Sequence, residues 1–261
     1  MKKIILTMLI IFFVNHLWAQ NNDASSTTQG TGKVEDRNFR IPLIGESAPS
    51  FTAESTNGTI NFPDDFGAKW KILFSHPQDF TPVCSTEILQ LAKMQDEFDK
   101  LGIKLIVVST DELETHLEWK KSMEALKLNE EESVKIKFPI VDDDKRIIAK
   151  EYGMIHPSSN STRDVRGVFI IDPDNVIQAI YFYPSNVGRN TDELLRMVTA
   201  LKTAASGNVL IPANWRAGND VLVPIPPKTD PVGKPIVPEG YYSPIWYLWF
   251  KKGNNNNGSE F

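Results

Sequence analysis

Apolar residues recur along this chain with two kinds of spacing. Between Pro42 and about Ala205, near-continuous or alternating runs predict strands at KILFS (71–75), IKLIVVS (103–109), IKFPIVD (136–142), RGVFIID (166–172) and VIQAIYFY (176–183). Three of them are apolar almost throughout, the pattern of strands covered on both faces. Between the strands the spacing changes to three and four. Ile88, Leu91, Ala92, Met94, Phe98 and Leu101 predict a helix that opens at Cys84 and stops at Gly102. Leu113 to Leu128 and Thr191 to Ala205 predict two more. DPDN (172–175) has turn chemistry and joins the last two strands as a hairpin. The pattern predicts an α/β domain over residues 42–206, with a mixed central sheet flanked by helices.

Outside that span the pattern breaks down. Past Gly207 come Pro212, Pro224, Pro226, Pro227, Pro231, Pro235, Pro238 and Pro244, which oppose a continuing sheet or helix core. The same stretch carries Trp215, Tyr241, Tyr242, Trp246, Tyr247, Trp249 and Phe250, more aromatic surface than about 45 residues bury alone. Residues 207–252 are therefore expected to form an arm packed on the main domain or on a second subunit, with residues 253–261 as a disordered tail. At the other end, Lys2 and Lys3 precede the apolar run Ile4 to Val14, and Leu17-Trp18-Ala19 follow. This is the order of a secretory signal peptide over residues 1–19, and its apolar run is shorter than the ~20 residues of a membrane span. Residues 20–41, rich in Asn, Ser, Thr and Gly, read as a flexible leader. Export is expected, with the periplasm as the compartment.

Composition narrows the function. A hydrophobic content of 41% fits a soluble globular protein. The net charge is −5, and removal of residues 1–19, with two lysines and no acid, takes it to −7. An acidic surface opposes nucleic-acid binding, which rests on clustered Lys and Arg. The chain has a single cysteine, so no internal disulfide forms despite the export signal. Cys84 is then a partner for another chain, a buried inert side chain, or a reactive centre.

The neighbourhood of Cys84 favours the last. It falls where a strand has ended and a helix begins, so amide donors and the positive end of the helix dipole face the sulfur and favour the thiolate. The dipole contributes at most about 2 kcal/mol, too little to make the anion dominant, so a cation is required. Cys84 shares a helix face with Ile88 and Leu91 and leans inward. Thr81 can turn its hydroxyl toward the sulfur or a ligand, while Pro77 and Pro82 stiffen the loop.

PQDFTPVC (77–84) fits P-x-x-x-T-x-x-C and resembles the active-site motif of the peroxiredoxin family; the longer FSHPQDFTPVCSTEI (74–88) is similar to the one-cysteine, type-six-like branch. FPIVDDDKRIIAKEYGM (138–154), RGVFIIDPDNVIQAIYFYPSNVGRNTDELLRMVTAL (166–201), IPANWRAGNDVLVPIP (211–226) and PEGYY (238–242) extend the resemblance from about residue 42 to 250. It implies a thioredoxin-like fold with a C-terminal arm that contributes to a homodimer. It implies a thiol-dependent peroxidase that reduces hydrogen peroxide and organic hydroperoxides with no metal or organic cofactor. Cys84 takes the place of the peroxidatic thiol, Thr81 of the hydroxyl that touches sulfur and peroxide, Pro77 of the shielding proline, and Arg166 of the arginine that supplies the required cation. Glu87 and Arg189 match a supporting pair, and His76 a histidine of this branch; a surface ion pair and a packed ring are their ordinary alternatives. With no second thiol, oxidised Cys84 must be regenerated by an external thiol or other reductant. Lys69, in DFGAKWK (65–71), stands where some animal members carry a lipase serine, so phospholipase activity is not expected.

Other classes have less behind them. A cysteine hydrolase would need His116 or His156 as a base beside the thiol, and neither carries a supporting signature. The histidines show no metal-ligand spacing, and DDD (142–144) reads as a solvated turn. A peroxide sensor or holdase-like chaperone on the same fold is the main alternative, separable from an enzyme by repeated turnover.

Overall fold

The structure, a computed structural model, describes residues 39–127, 133–159, 161–224, 228, 230–233 and 236–254. The expected signal peptide, nearly all of the expected leader and most of the expected tail lie outside the described residues. A short hairpin comes first, β1 (Phe51–Ala53) against β2 (Ile60–Phe62), with the rings of Phe51 and Phe62 stacked 4.9 Å apart. There follow β3 (Trp70–Ser75), α1 (Pro82–Lys100), β4 (Ile103–Ser109), α2 (Leu113–Glu124), β5 (Ile140–Asp142), α3 (Ile147–Glu151), β6 (Arg166–Ile171), β7 (Ile177–Tyr183) and α4 (Thr191–Gly207).

The central sheet runs β5-β4-β3-β6-β7, with β4 and β5 parallel to their neighbours and β6 and β7 antiparallel to theirs. It is the mixed, helix-flanked sheet expected from the sequence. All six residues of β3 are buried, and alternate residues of the inner strands feed two cores, as the period of two requires. Ile72, Phe74, Leu105, Val107, Val168 and Ile170 join one core with Cys84, Ile88 and Leu91 of α1 and Leu194 and Val198 of α4. Leu73, Ile106, Val108, Phe169 and Ile171 join the other with Phe62, Ile148 and Tyr152. Two apolar layers thus grip β3 and β6, and the ends of those strands are rigid points for a site.

Several elements differ from expectation. The run 136–142 pairs only over Ile140–Asp142, because Pro139 has no N–H to donate; Ile136 and Phe138 are nonetheless buried in the core. The helix expected to reach Leu128 ends at Glu124, and Leu128 lies outside the described residues. The hairpin β1–β2 and the five-residue α3 are too short for periodicity to reveal. Asp143, expected in a solvated turn, is buried and accepts the N–H groups of Ile148 and Ala149 at 2.9 and 2.7 Å, capping α3; burial pushes its carboxyl up to about 6.

The proline-rich arm forms a small sheet after all. β8 (Val221–Leu222), β9 (Tyr241–Ile245) and β10 (Leu248–Lys251) pair in the order β8-β10-β9. Pro244 is tolerated because β9 is an edge strand. Trp215, Trp249 and Phe250 are buried, whereas Trp246 is 82% exposed. Arg196 of α4 donates to the Trp215 carbonyl at 3.2 Å, tying the arm to the main domain.

Candidate active site

The antiparallel register of β3 and β6, with Phe74 opposite Val168, brings the start of β6 alongside the end of β3. The chain leaves β3 at Ser75, crosses residues 76–81 and enters α1 at Pro82, which suits the first helical position because no N–H is needed there. Cys84 lies in the first turn of α1 and is wholly buried, on the inward face expected from its spacing to Ile88 and Leu91. Arg166, at the start of β6, points its NH1 at Cys84 Sγ from 3.3 Å. The same nitrogen donates to Glu87 Oε2 at 2.7 Å, while Nε and NH2 donate to the Ser185 carbonyl at 3.0 and 2.6 Å. Each nitrogen of the guanidinium is engaged, which sets its orientation toward the sulfur.

Glu87 and Arg189 form no surface ion pair; both are buried. Arg189 meets Glu87 Oε1 through its backbone N–H at 2.7 Å and Nε at 2.8 Å, and Oε2 through NH2 at 2.8 Å. Its NH1 donates to the carbonyls of Ser75 and Gly167 at 2.7 and 2.8 Å, and its Cζ lies 3.3 Å from the centre of the Phe74 ring. Arg189 thereby clamps β3 to β6 beneath the thiol. Two guanidinium groups and one carboxylate leave one positive charge in a region almost closed to water. Buried charge is costly unless balanced, and the Cys84 sulfur lies 3.3 Å from this charge.

Around this centre, Pro77, Thr81, Val83, Arg163, Arg166 and Tyr183 are among the residues lining a cavity of about 750 Å³. The Thr81 hydroxyl donates to the Gln78 carbonyl at 2.8 Å rather than to the sulfur, leaving its oxygen to accept. Pro77 lines the cavity, and its carbonyl accepts from Arg163 at 3.3 Å. His76 is completely buried, its Nε2 3.5 Å from Asp79 Oδ1 and its ring 4.9 Å from that of Trp119. Burial, His116 and the two arginines push its pKa well below the usual imidazole range, so the ring is neutral. Among the described residues, the sulfur's hydrogen bond comes from Arg166 and from no histidine. His116 is paired with Asp79, and His156 lines the outer cavity against Phe39 and Phe182.

Sequence reasoning missed Asp79, Asp111, Arg163 and Ser185, which hold the loop or the arginine, and weighed His116 only as a hydrolase base. Asp79 had a signal available: a carboxylate inside the motif, now seen buried between the exposed Gln78 and Phe80. Ser185 had none, because it acts through its carbonyl. Asp164 is buried beside the cavity, and burial together with Asp143 pushes its carboxyl well above the ordinary range.

A buried, arginine-held thiol at a helix N-terminus on a thioredoxin-like sheet defines a thiol-dependent peroxidase. Comparison with known proteins agrees. Residues 44–180 match the AhpC/TSA family, and residues 200–234 match the C-terminal domain of 1-Cys peroxiredoxin. A peroxiredoxin of Methanosarcina mazei is 45% identical over 215 residues, covering 81% of this chain and 98% of that protein. Peroxiredoxin-6 of Bos taurus is 40% identical over 205 residues, covering 77% and 91%. Among solved structures, a yeast mitochondrial 1-Cys peroxiredoxin superposes with a TM-score of 0.69 at 38% identity, over 82% of this chain and 100% of that one. A cysteine-to-serine mutant of peroxiredoxin 6 of Arenicola marina gives 0.68 at 31% identity, over 83% and 100%. The chain belongs to the peroxiredoxins of the AhpC/TSA family, and its lone cysteine puts it in their one-cysteine branch.

Proposed function

We propose that Cys84 is the peroxidatic group and that it reduces hydrogen peroxide and organic hydroperoxides in a two-part cycle. The thiolate attacks one oxygen of the O–O bond, and that bond breaks. The sulfur keeps one oxygen as sulfenic acid, and the other leaves with the electron pair, taking a proton to become water or an alcohol. Arg166 balances the charge on sulfur and, as it moves, on the departing oxygen. Thr81 accepts a hydrogen bond from the peroxide, and Pro77 keeps bulk water off the sulfur. Glu87 and Arg189 hold Arg166 in place, and the neutral His76 packs beneath the loop. An external thiol then attacks the sulfenic sulfur to give a mixed disulfide and water, and a second thiol releases reduced Cys84. The observation that carries this reading is the 3.3 Å approach of a buried guanidinium to the only sulfhydryl in the chain.

The test is peroxide consumption with a panel of thiol reductants, together with mass spectrometry of Cys84. Many turnovers per protein and one added oxygen on Cys84 are expected; Cys84→Ser should abolish both. Oxidation that stops after a single event with every reductant would favour the sensor reading. Two further parts of the proposal concern context. The exposed Trp246 and Tyr247 between β9 and β10 support a homodimer contact in the arm, which sedimentation of the wild type against Trp246→Ala would test. The order of charged, apolar and small residues at the N-terminus supports export and cleavage after Ala19 to a periplasmic form, which the mass of the mature chain would test.

A further inference from the structure

The peroxide chemistry makes no use of the polar cluster behind the loop. His116 and Trp119, one turn apart on the buried face of α2, both reach the segment between β3 and α1. His116 Nδ1 is hydrogen-bonded to Asp79 Oδ2 at 2.6 Å, with neither side chain open to solvent. Trp119 packs on the His76 ring and donates from Nε1 to Ser85 Oγ at 3.3 Å, beyond the cysteine. The Asp79 N–H donates to Asp111 Oδ2 at 2.7 Å, and Asp111 Oδ1 accepts from Arg163 at 2.7 Å. Next to Asp79, the exposed Phe80 sits at φ 54°, a conformation that a bulky side chain avoids. The turn is strained on its outer side and fastened on its inner side.

A buried carboxylate deprived of its donor loses more by staying inside than by turning out to water. We propose that His116 is a positioning residue whose hydrogen bond to Asp79 latches residues 76–81 closed over Cys84. The latch sets the balance between a closed loop, where Arg166 holds the sulfur for peroxide, and an open loop, where a bulky thiol reaches it. An opening step is needed because the sulfur is 0% exposed in the closed state. The peroxide half of this inference rests on the function proposed for Cys84; the latch itself does not.

The test compares the parent with His116→Ala and with His116→Asn, whose amide places a donor near the position of Nδ1. Under native conditions, well below the unfolding midpoint of each variant, Cys84 is labelled with 5,5′-dithiobis(2-nitrobenzoic acid), and its oxidation by hydrogen peroxide is followed by stopped flow. Loss of a charge-assisted buried hydrogen bond shifts the opening equilibrium by about 10- to 100-fold. His116→Ala should label faster by that factor and be oxidised several-fold more slowly, and His116→Asn should return both rates toward those of the parent. Parent-like labelling in His116→Ala, or His116→Asn behaving as His116→Ala does, overturns the proposal. Should His116→Ala not fold, Asp79→Ala removes the acceptor instead; faster labelling in it supports the latch and parent-like labelling overturns it. If peroxide leaves the parent's Cys84 untouched, the peroxidase reading fails while the labelling comparison still decides the latch.

Discussion

Replacing Arg166 with glutamine removes the cation from beside the sulfur while keeping much of the side chain's length. The change takes away a charge-assisted hydrogen bond to Cys84, at 3.3 Å, and another to Glu87, at 2.7 Å. Bonds of this kind are worth about 1.5–3 kcal/mol each, which sets a lower bound for the loss at the sulfur. An upper bound comes from Coulomb's law: two unit charges 3.3 Å apart interact with about 5 kcal/mol at an effective dielectric of about 20. Arg189 still holds Glu87, so a thiolate at Cys84 would then lack the guanidinium that faces it. At about 1.4 kcal/mol per tenfold, the second-order rate of Cys84 oxidation should fall by roughly 10²- to 10³-fold. Stopped-flow tryptophan fluorescence with excess hydrogen peroxide measures that rate directly. Arg166→Lys should fall in between, since an ammonium keeps the charge but cannot meet Ser185, Glu87 and the sulfur together. A folded Arg166→Gln protein oxidised within threefold of the parent rate would refute the electrostatic argument.

Other expectations follow from the same geometry. Glu87→Gln breaks the buried network between two guanidinium groups and should destabilise the fold by about 3–5 kcal/mol in urea titrations. A Cβ at Gly167 would lie 3.0 Å from Met154 Sδ and 3.2 Å from Ser75 Oγ, so Gly167→Ala should cost about 1–3 kcal/mol in the same assay and slow peroxide oxidation by displacing the start of β6. Asp143 binds its proton up to about pH 6 in the folded protein, against an ordinary value of 3.8. Folding therefore takes up a proton between those values, and this contribution to stability is lost as pH rises from about 4 to 6. Asp143→Asn should flatten that part of the stability–pH curve, read by urea midpoints at closely spaced pH values. An unchanged slope would count against the assignment.

The strands of the central sheet were legible because each inner strand is covered on both faces and so carries an unbroken apolar run. The three longer helices were legible because each packs one face. β1, β2 and α3 were not, since three to five residues hold less than one period of any useful pattern. The arm sheet was hidden by its prolines, which exclude a central strand but leave an edge strand free to form. Near the thiol, the motif named Cys84, Thr81 and Pro77 outright, whereas Asp79 and His116 looked ordinary until burial and a 2.6 Å contact joined them.

Chain order alone determined that one thiol would sit at the mouth of a helix, stiffened by prolines and with no second cysteine to resolve it. Those are local properties of covalent sequence and helix geometry. Only the tertiary structure decided that Arg166 and Arg189, far along the chain, converge on Glu87 beneath that thiol, because strand register and loop closure set distances that no local pattern encodes. The charge left over by that convergence is enclosed away from water, 3.3 Å from the sulfur.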